Sequence, residues 1–219
     1  MEFYAVNASP RKHGNTAVVL DYVLQGIRDT HTEAVCERID LYDYTYTGCV
    51  SCFACKRIGG KSFGKCAKKD ELTEVIEKLS KADGIVFGSP IYFHDITAQL
   101  RALLERLLFA YHSYEKDGIP QTPKRMPTAF IYTMNVTEEV MRKMDYPNRL
   151  ERMEGFVERI FTKPEVLYVN NTYQFDDYSK YAASRFDEPE KRKYREEYFP
   201  EDCRKAYELG KRMAEQNKS

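Results

Sequence analysis

Five short apolar runs alternate with amphipathic helical stretches through the first 170 residues. No other feature limits the architecture as much. Phe3 to Val6, Ala34 to Ile39, Gly84 to Phe87, Thr128 to Tyr132 and Val166 to Val169 read as strands. The third is apolar after its glycine, as a strand covered on both faces should be. Between the strands, Leu20, Val23, Leu24 and Ile27 share one face of a helix expected from about Asn15 to Arg28. Leu72, Val75, Ile76 and Leu79 repeat that spacing behind Asp70-Glu71, acids suited to a helix start. Leu100, Leu103, Leu104 and Leu107 mark a third helix. Leu150, Met153, Val157 and Ile160 mark a fourth, with Pro147 just before it. Strands separated by helices form βαβ units, which close right-handed into a parallel sheet. The expected fold is α/β, a doubly wound five-stranded parallel sheet of order 2-1-3-4-5.

Residues 171–199 break this rhythm. They are charged and carry eight aromatics, namely Tyr173, Phe175, Tyr178, Tyr181, Phe186, Tyr194, Tyr198 and Phe199. A last helix is expected from about Asp202, with Ala206, Tyr207, Gly210 and Met213 near one face. The chain therefore divides into an α/β domain at 1–170 and a C-terminal extension at 171–219. The extension is too polar for a second core, yet exposes much aromatic surface. It suits either a strap over its own domain or an arm reaching a second subunit.

Charge narrows the partners. Lys plus Arg is 34 and Asp plus Glu is 34, so the basic excess of a general nucleic-acid binder is absent. No apolar run approaches the roughly 18 residues that span a bilayer. Met1-Glu2-Phe3-Tyr4 lacks the basic start of a secretory signal. A cytoplasmic protein with no membrane or nucleic-acid partner is expected.

In such a sheet, ligands sit beyond the carboxyl ends of the strands. The first loop reads Ser9-Pro10-Arg11-Lys12-His13-Gly14-Asn15-Thr16 and runs into a helix. Hydroxyls, open backbone N–H groups and a helix N-terminus suit a phosphate, and Gly14 eases the turn. The spacing matches neither a triphosphate-binding loop nor a dinucleotide fingerprint. An ordinary βα loop has the same composition. The third strand ends in Gly88-Ser89-Pro90-Ile91-Tyr92-Phe93-His94-Asp95, a rigid and aromatic rim suited to a flat ring. Loop packing is its plainer reading. Solvent for His13 and a loop contact for His94 are likewise the simpler assignments.

Six cysteines are present, four of them at 49, 52, 55 and 66. Cys49, Cys52 and Cys55 have ligand spacing, and Cys66 follows after ten residues containing three glycines. An iron–sulfur cluster, a zinc site and free thiols all fit this pattern. Cys36 and Cys203 read as small hydrophobes in a strand and a helix.

Ser9-Pro10-Arg11 with Gly14-Asn15-Thr16, the Cys49 to Cys66 segment and Gly88-Ser89-Pro90-Ile91-Tyr92 occur in one order. Together they resemble flavodoxin-like NAD(P)H-dependent FMN reductases, closest to the iron–sulfur flavoprotein branch. The resemblance covers about Met1 to Tyr168. It implies a flavodoxin-like fold whose FMN phosphate is held by Ser9, Arg11, Asn15 and Thr16, with Gly14 in the turn. Pro90, Ile91, Tyr92 and Phe93 would line the isoalloxazine, and the Thr133–Asn135 loop would add a contact through Asn135. Two departures stand out. Ala8 replaces a common glycine, and Met134-Asn135 replaces a glycine-rich turn. The implied function is an FMN-dependent oxidoreductase. NADPH or NADH would reduce the FMN, which would reduce a small acceptor such as a quinone or another flavin. The alternative is an electron carrier from ferredoxin with a [4Fe–4S] cluster on Cys49, Cys52, Cys55 and Cys66. The resemblance also implies a homo-oligomer, a dimer or tetramer.

Overall fold

A computed structural model describes residues 1–122 and 124–216. The last three residues of the expected 171–219 extension thus lie outside the described residues. Strands β1 (Glu2–Asn7), β2 (Val35–Asp40), β3 (Gly84–Pro90), β4 (Thr128–Thr133) and β5 (Glu165–Val169) form one sheet. All its pairs are parallel and its order is β2-β1-β3-β4-β5. This is the expected doubly wound order, and the flavodoxin-like one that the family resemblance implies. The register sets Val6 beside Ile39 and Phe87, and Phe87 beside Phe130.

The period-2 alternation of side chains divides the core. Tyr4, Val6, Ile85, Phe87, Phe130 and Tyr132 face one side, against α2 (Leu72–Lys81), α3 (Ala98–Tyr111) and α5 (Tyr146–Ile160). Phe3, Ala5, Val86, Ala129 and Ile131 face the other, against α1 (Asn15–Thr30) and α7 (Phe199–Glu215). Helices α1 and α7 cross at two glycines. A Cβ on Gly26 would stand 2.0 Å from the Tyr207 carbonyl oxygen, and one on Gly210 would stand 2.0 Å from that of Val23. The extension therefore contributes a core layer, with Phe199, Cys203, Ala206, Leu209 and Met213 packed on the sheet.

Two helices have no counterpart among the sequence expectations: α4 (Glu138–Lys143) and α6 (Glu188–Glu197). Both begin at side-chain caps, Thr137 accepting from Val140 N and Asp187 from Glu190 N. Neither has an apolar stripe, and the only buried residue of α6 is Lys191. Pro147, expected just before its helix, lies inside the first turn of α5, and Pro200 lies inside that of α7, because a first-turn proline gives up no intrahelical bond. No described helix is long and apolar enough to cross a membrane.

Candidate functional site

Strands β1, β3 and β4 are neighbours, so the loops at their carboxyl ends leave the sheet side by side. Hydrogen bonds tie the three loops together. Ala8 N donates to Gly88 O at 2.8 Å, and Thr97 Oγ1 to Ala8 O at 3.0 Å. Ile91 N donates to Thr133 O at 3.0 Å. The buried hydroxyls of Thr16 and Thr133 share a bond of 2.7 Å.

The first loop is wound tightly by its own side chains. Ser9 N donates to Asn7 Oδ1, Arg11 N to Ser9 Oγ, and Gly14 N to Arg11 O. A Cβ on Gly14 would stand 2.9 Å from Arg11 Cβ, which is the close approach that favours glycine here. Gly14 is the N-cap of α1. It offers no capping side chain, and no acid lies in the first turn. Among the described residues, the positive end of this sixteen-residue helix thus has no side-chain cap. This is the electrostatics of an anion site.

The structure gathers Ser9, Gly14, Asn15 and Thr16 around that terminus, but turns two expected phosphate ligands elsewhere. Arg11 Nη1 donates to Gln174 O at 2.5 Å, and Asn15 Nδ2 to Tyr173 O at 2.9 Å. Arg195 Nη1 donates to Asn15 Oδ1 at 3.0 Å. The charged, aromatic segment thus lies against its own chain's first loop, as a strap does.

In the second loop, Pro90 ends β3 and Ile91 is half-buried. Tyr92 and Asp95 exchange backbone hydrogen bonds of 2.9 and 3.1 Å across a tight turn. Phe93 and His94 occupy its corners at φ 50° and 71°, left-handed values costly for such side chains. The turn leaves the Phe93 ring wholly exposed, at 101 % of its reference area. His94 Nδ1 lies 2.9 Å from the hydroxyl of Tyr146, the first residue of α5.

An open cavity of about 530 Å³ lies beside the turn, lined by His94, Asn135, Tyr146, Asn171, Phe186 and Lys191 among others. Asn135 Oδ1 is buried and has no partner among the described residues. Lys191 is 3 % exposed, and its Nζ donates to Asn135 O at 2.8 Å and Asn171 Oδ1 at 2.9 Å. Burial pulls its pKa down to about 8, against a smaller opposing effect of Glu190. Sequence reasoning passed over Lys191, because one lysine in a polar helix carries no periodic signal.

The cysteine loop packs at the far end of α3. Cys49, Cys52, Cys55 and Cys66 line one void of about 20 Å³ with Phe53 and Phe109. Arg106, fixed by two 2.7 Å bonds to Asp70, donates from Nε to Cys66 Sγ at 3.4 Å. Lys56 Nζ closes the C-terminus of α3, donating to the carbonyls of Phe109, Ala110 and His112. Burial raises the Cys55 thiol, with Lys56 opposing. Four thiols around one void have the chemistry of a tetrathiolate donor set. Among the described residues, no three of His, Cys, Asp or Glu stand close enough together to hold a metal ion.

Known proteins resemble this chain in sequence or in fold. A family model described as NADPH-dependent FMN reductase matches residues 1–120. An iron-sulfur flavoprotein of Methanocaldococcus jannaschii is 36% identical over 106 residues, covering 48% of this chain and 51% of that protein. One from Archaeoglobus fulgidus is 36% identical over 106 residues, covering 48% of each chain. The chain thus spans about half the length of the curated relatives it matches. Among solved structures, an NAD(P)H:quinone oxidoreductase from Methanothermobacter marburgensis superposes with a TM-score of 0.68 at 15% identity, over 96% of this chain and 98% of that one. An azoreductase from Bacillus anthracis gives 0.66 at 16% identity, over 97% and 99%. At these identities the structural likeness is one of fold.

Proposed function

The chain belongs to the NADPH-dependent FMN reductase family, and we propose that it is an FMN-dependent oxidoreductase. NADPH or NADH would reduce the bound flavin, and a small acceptor such as a quinone or a second flavin would reoxidise it. The observation that carries this reading is the uncapped N-terminus of α1, held by hydrogen bonds beside the exposed Tyr92–Asp95 turn. One element offers a phosphate cradle, and the other a rim for a flat ring, within a single group of linked loops.

In this reading the phosphate is taken by first-turn N–H groups of α1 with the hydroxyls of Ser9 and Thr16. Arg11 and Asn15 reach it by exchanging their bonds to Gln174 and Tyr173. Pro90, Ile91, Tyr92 and Phe93 pack against the ring, and Asn135 meets its polar edge. FMN supplies the redox chemistry, accepting two electrons with a proton from the nicotinamide and passing electrons onward. The protein's part is orientation. A rigid turn holds the ring so that a nicotinamide can lie against one open face at near-contact distance. No side-chain nucleophile is required.

Stopped-flow mixing of the FMN-loaded protein with NADPH or NADH tests the assignment. Loss of the oxidised-flavin absorbance is expected, followed by its return when quinone is added. A flavin left oxidised by both nicotinamides refutes it.

A second reading rests on the four cysteines around one void and the guanidinium on Cys66. A [4Fe–4S] centre held by Cys49, Cys52, Cys55 and Cys66 would make the chain an electron carrier. The curated relatives bear the name iron-sulfur flavoprotein. Because the thiols do not stand at ligating separations, the loop would have to draw inward around the centre. Anaerobic purification with iron analysis decides between them. About four irons per chain favour the carrier; iron-free protein with a flavin spectrum favours the reductase.

A further inference from the structure

Two buried groups line the 530 Å³ cavity, a cation held by neutral oxygens and the Phe186 ring but by no anion, and an acceptor without a donor among the described residues. Lys191 is a buried cation whose hydrogen-bond acceptors are all neutral oxygens, those of Asn135, Asn171 and, at 3.5 Å, Thr172. No carboxylate forms an ion pair with it among the described residues. A buried charge without a counter-ion is costly, and such costs persist where a ligand completes the site. The second group is Asn135 Oδ1, a buried acceptor with no donor. Both lie at the carboxyl end of β4, across from His94 of the β3 loop.

A ligand that completes this cavity presents an N–H donor to Asn135 and an electron-rich or anionic edge to Lys191. The pyrimidine edge of a flavin has that pattern, an imide N–H between two carbonyls next to the ring nitrogen that becomes anionic on reduction. The charge balance agrees. A nicotinamide delivers a hydride, which is two electrons and one proton. The flavin therefore gains one negative charge unless a second proton follows from solvent. A nearby cation stabilises that charge and makes the second proton unnecessary.

We propose that Lys191, delivered by the C-terminal extension, is the cation that faces the flavin's pyrimidine edge and stabilises the reduced flavin in its anionic form. This rests on the FMN assignment above. It assigns a positioning and charge-stabilising role to a residue outside the segment matched by the family model. Other charged groups lining the cavity are Arg185, Asp187 and Glu190 of the extension, with His94 opposite. Glu190 is the nearest acid in sequence, and Lys191→Gln leaves it in place.

The test uses the full chain loaded with FMN and reduced by dithionite against redox dyes, so that it does not depend on either nicotinamide. The slope of the midpoint potential between about pH 6 and 7, below the value of about 8 to which burial brings Lys191, counts protons taken up per electron pair. One proton is expected for the wild type and two for Lys191→Gln. The variant should bind reduced FMN at least ten-fold more weakly relative to oxidised FMN. A wild type that takes up two protons overturns the proposal whether or not the variant folds. So does a folded, FMN-loaded Lys191→Gln with unchanged potential and proton count. Failure to take up FMN at all defeats the functional assignment as well. Uptake with no reduction by nicotinamides defeats only the reductase reading.

Discussion

Thr16 shows how one hydroxyl can serve fold and site together. Its bond to Thr133 joins the first helix to the end of β4 under the candidate flavin site. Thr16→Ala leaves the Thr133 hydroxyl buried without that partner, a cost of about 1–3 kcal/mol. His13 is exposed in the same loop. We expect Thr16→Ala to lower the urea midpoint of the FMN-free protein and to weaken FMN binding in fluorescence titration. His13→Ala should change stability by less than about 0.5 kcal/mol. Equal behaviour of the two variants would contradict this role.

A second residue-scale case is the Asp70–Arg106 pair. Burial alone would raise the Asp70 carboxyl, but hydrogen bonds from Arg106 and Lys68 outweigh it and hold the group below its ordinary value. A carboxyl depressed in the folded state stabilises the protein above the unfolded value and loses that contribution as pH falls through the folded one. Denaturation curves from about pH 5 to pH 3 should show a steeper acid loss for the wild type than for Asp70→Asn. Arg106→Met leaves the acid with Lys68 and the Leu72 N–H as its partners, so its cost at neutral pH should stay below the roughly 3–5 kcal/mol of a fully stranded buried charge.

Among the elements, the α1–α7 crossing separates propensity from packing. Alanine is favoured over glycine inside a helix by roughly 1 kcal/mol. At Gly26 and Gly210, however, the new methyl group would meet backbone oxygen at 2.0 Å, and backbone does not give as a side chain would. Packing wins there. Each Gly→Ala change should destabilise by about 1–3 kcal/mol or more, visible as a loss of roughly 2–4 °C in Tm per kcal/mol. Gly155 on α5 has nothing within 4 Å of its absent Cβ. There Gly155→Ala should stabilise by about 0.5–1 kcal/mol. Thermal melts of the three variants compare the two effects directly.

At the scale of the whole molecule, the extension both completes the core through α7 and lies across the first loop through Tyr173 and Gln174. Removing residues 171–219 should therefore unfold the α1 face as well as weaken flavin retention. Assembly is better tested on the intact chain. Val50, Phe53 and Ile58 of the cysteine loop and Tyr114 and Ile119 after α3 are exposed, with Phe53 and Tyr114 in ring contact. Apolar surface of this kind suits a second copy of the chain. Light scattering at micromolar concentration should give at least twice the chain mass, and Phe53→Asp should lower it while leaving the circular dichroism spectrum unchanged. A monomeric wild type holding full FMN would end the oligomer proposal.

The amino-acid sequence alone marked the five strands, the helices bearing apolar stripes and the two loops of the candidate site, while the strand order rested on a common doubly wound solution and on the family resemblance. Periods of 2 and 3.6 record which face of an element is buried, and turn residues such as Gly14 and Pro90 record where it ends. The sequence could not tell which distant group meets a given side chain. Lys191 reaches Asn135 across 56 positions, and Arg11 reaches Gln174 across 163. Helix α6 left no periodic trace because it buries a single charged residue. Only the packed chain brings that lysine to the cavity, because its burial depends on neutral oxygens from two other loops.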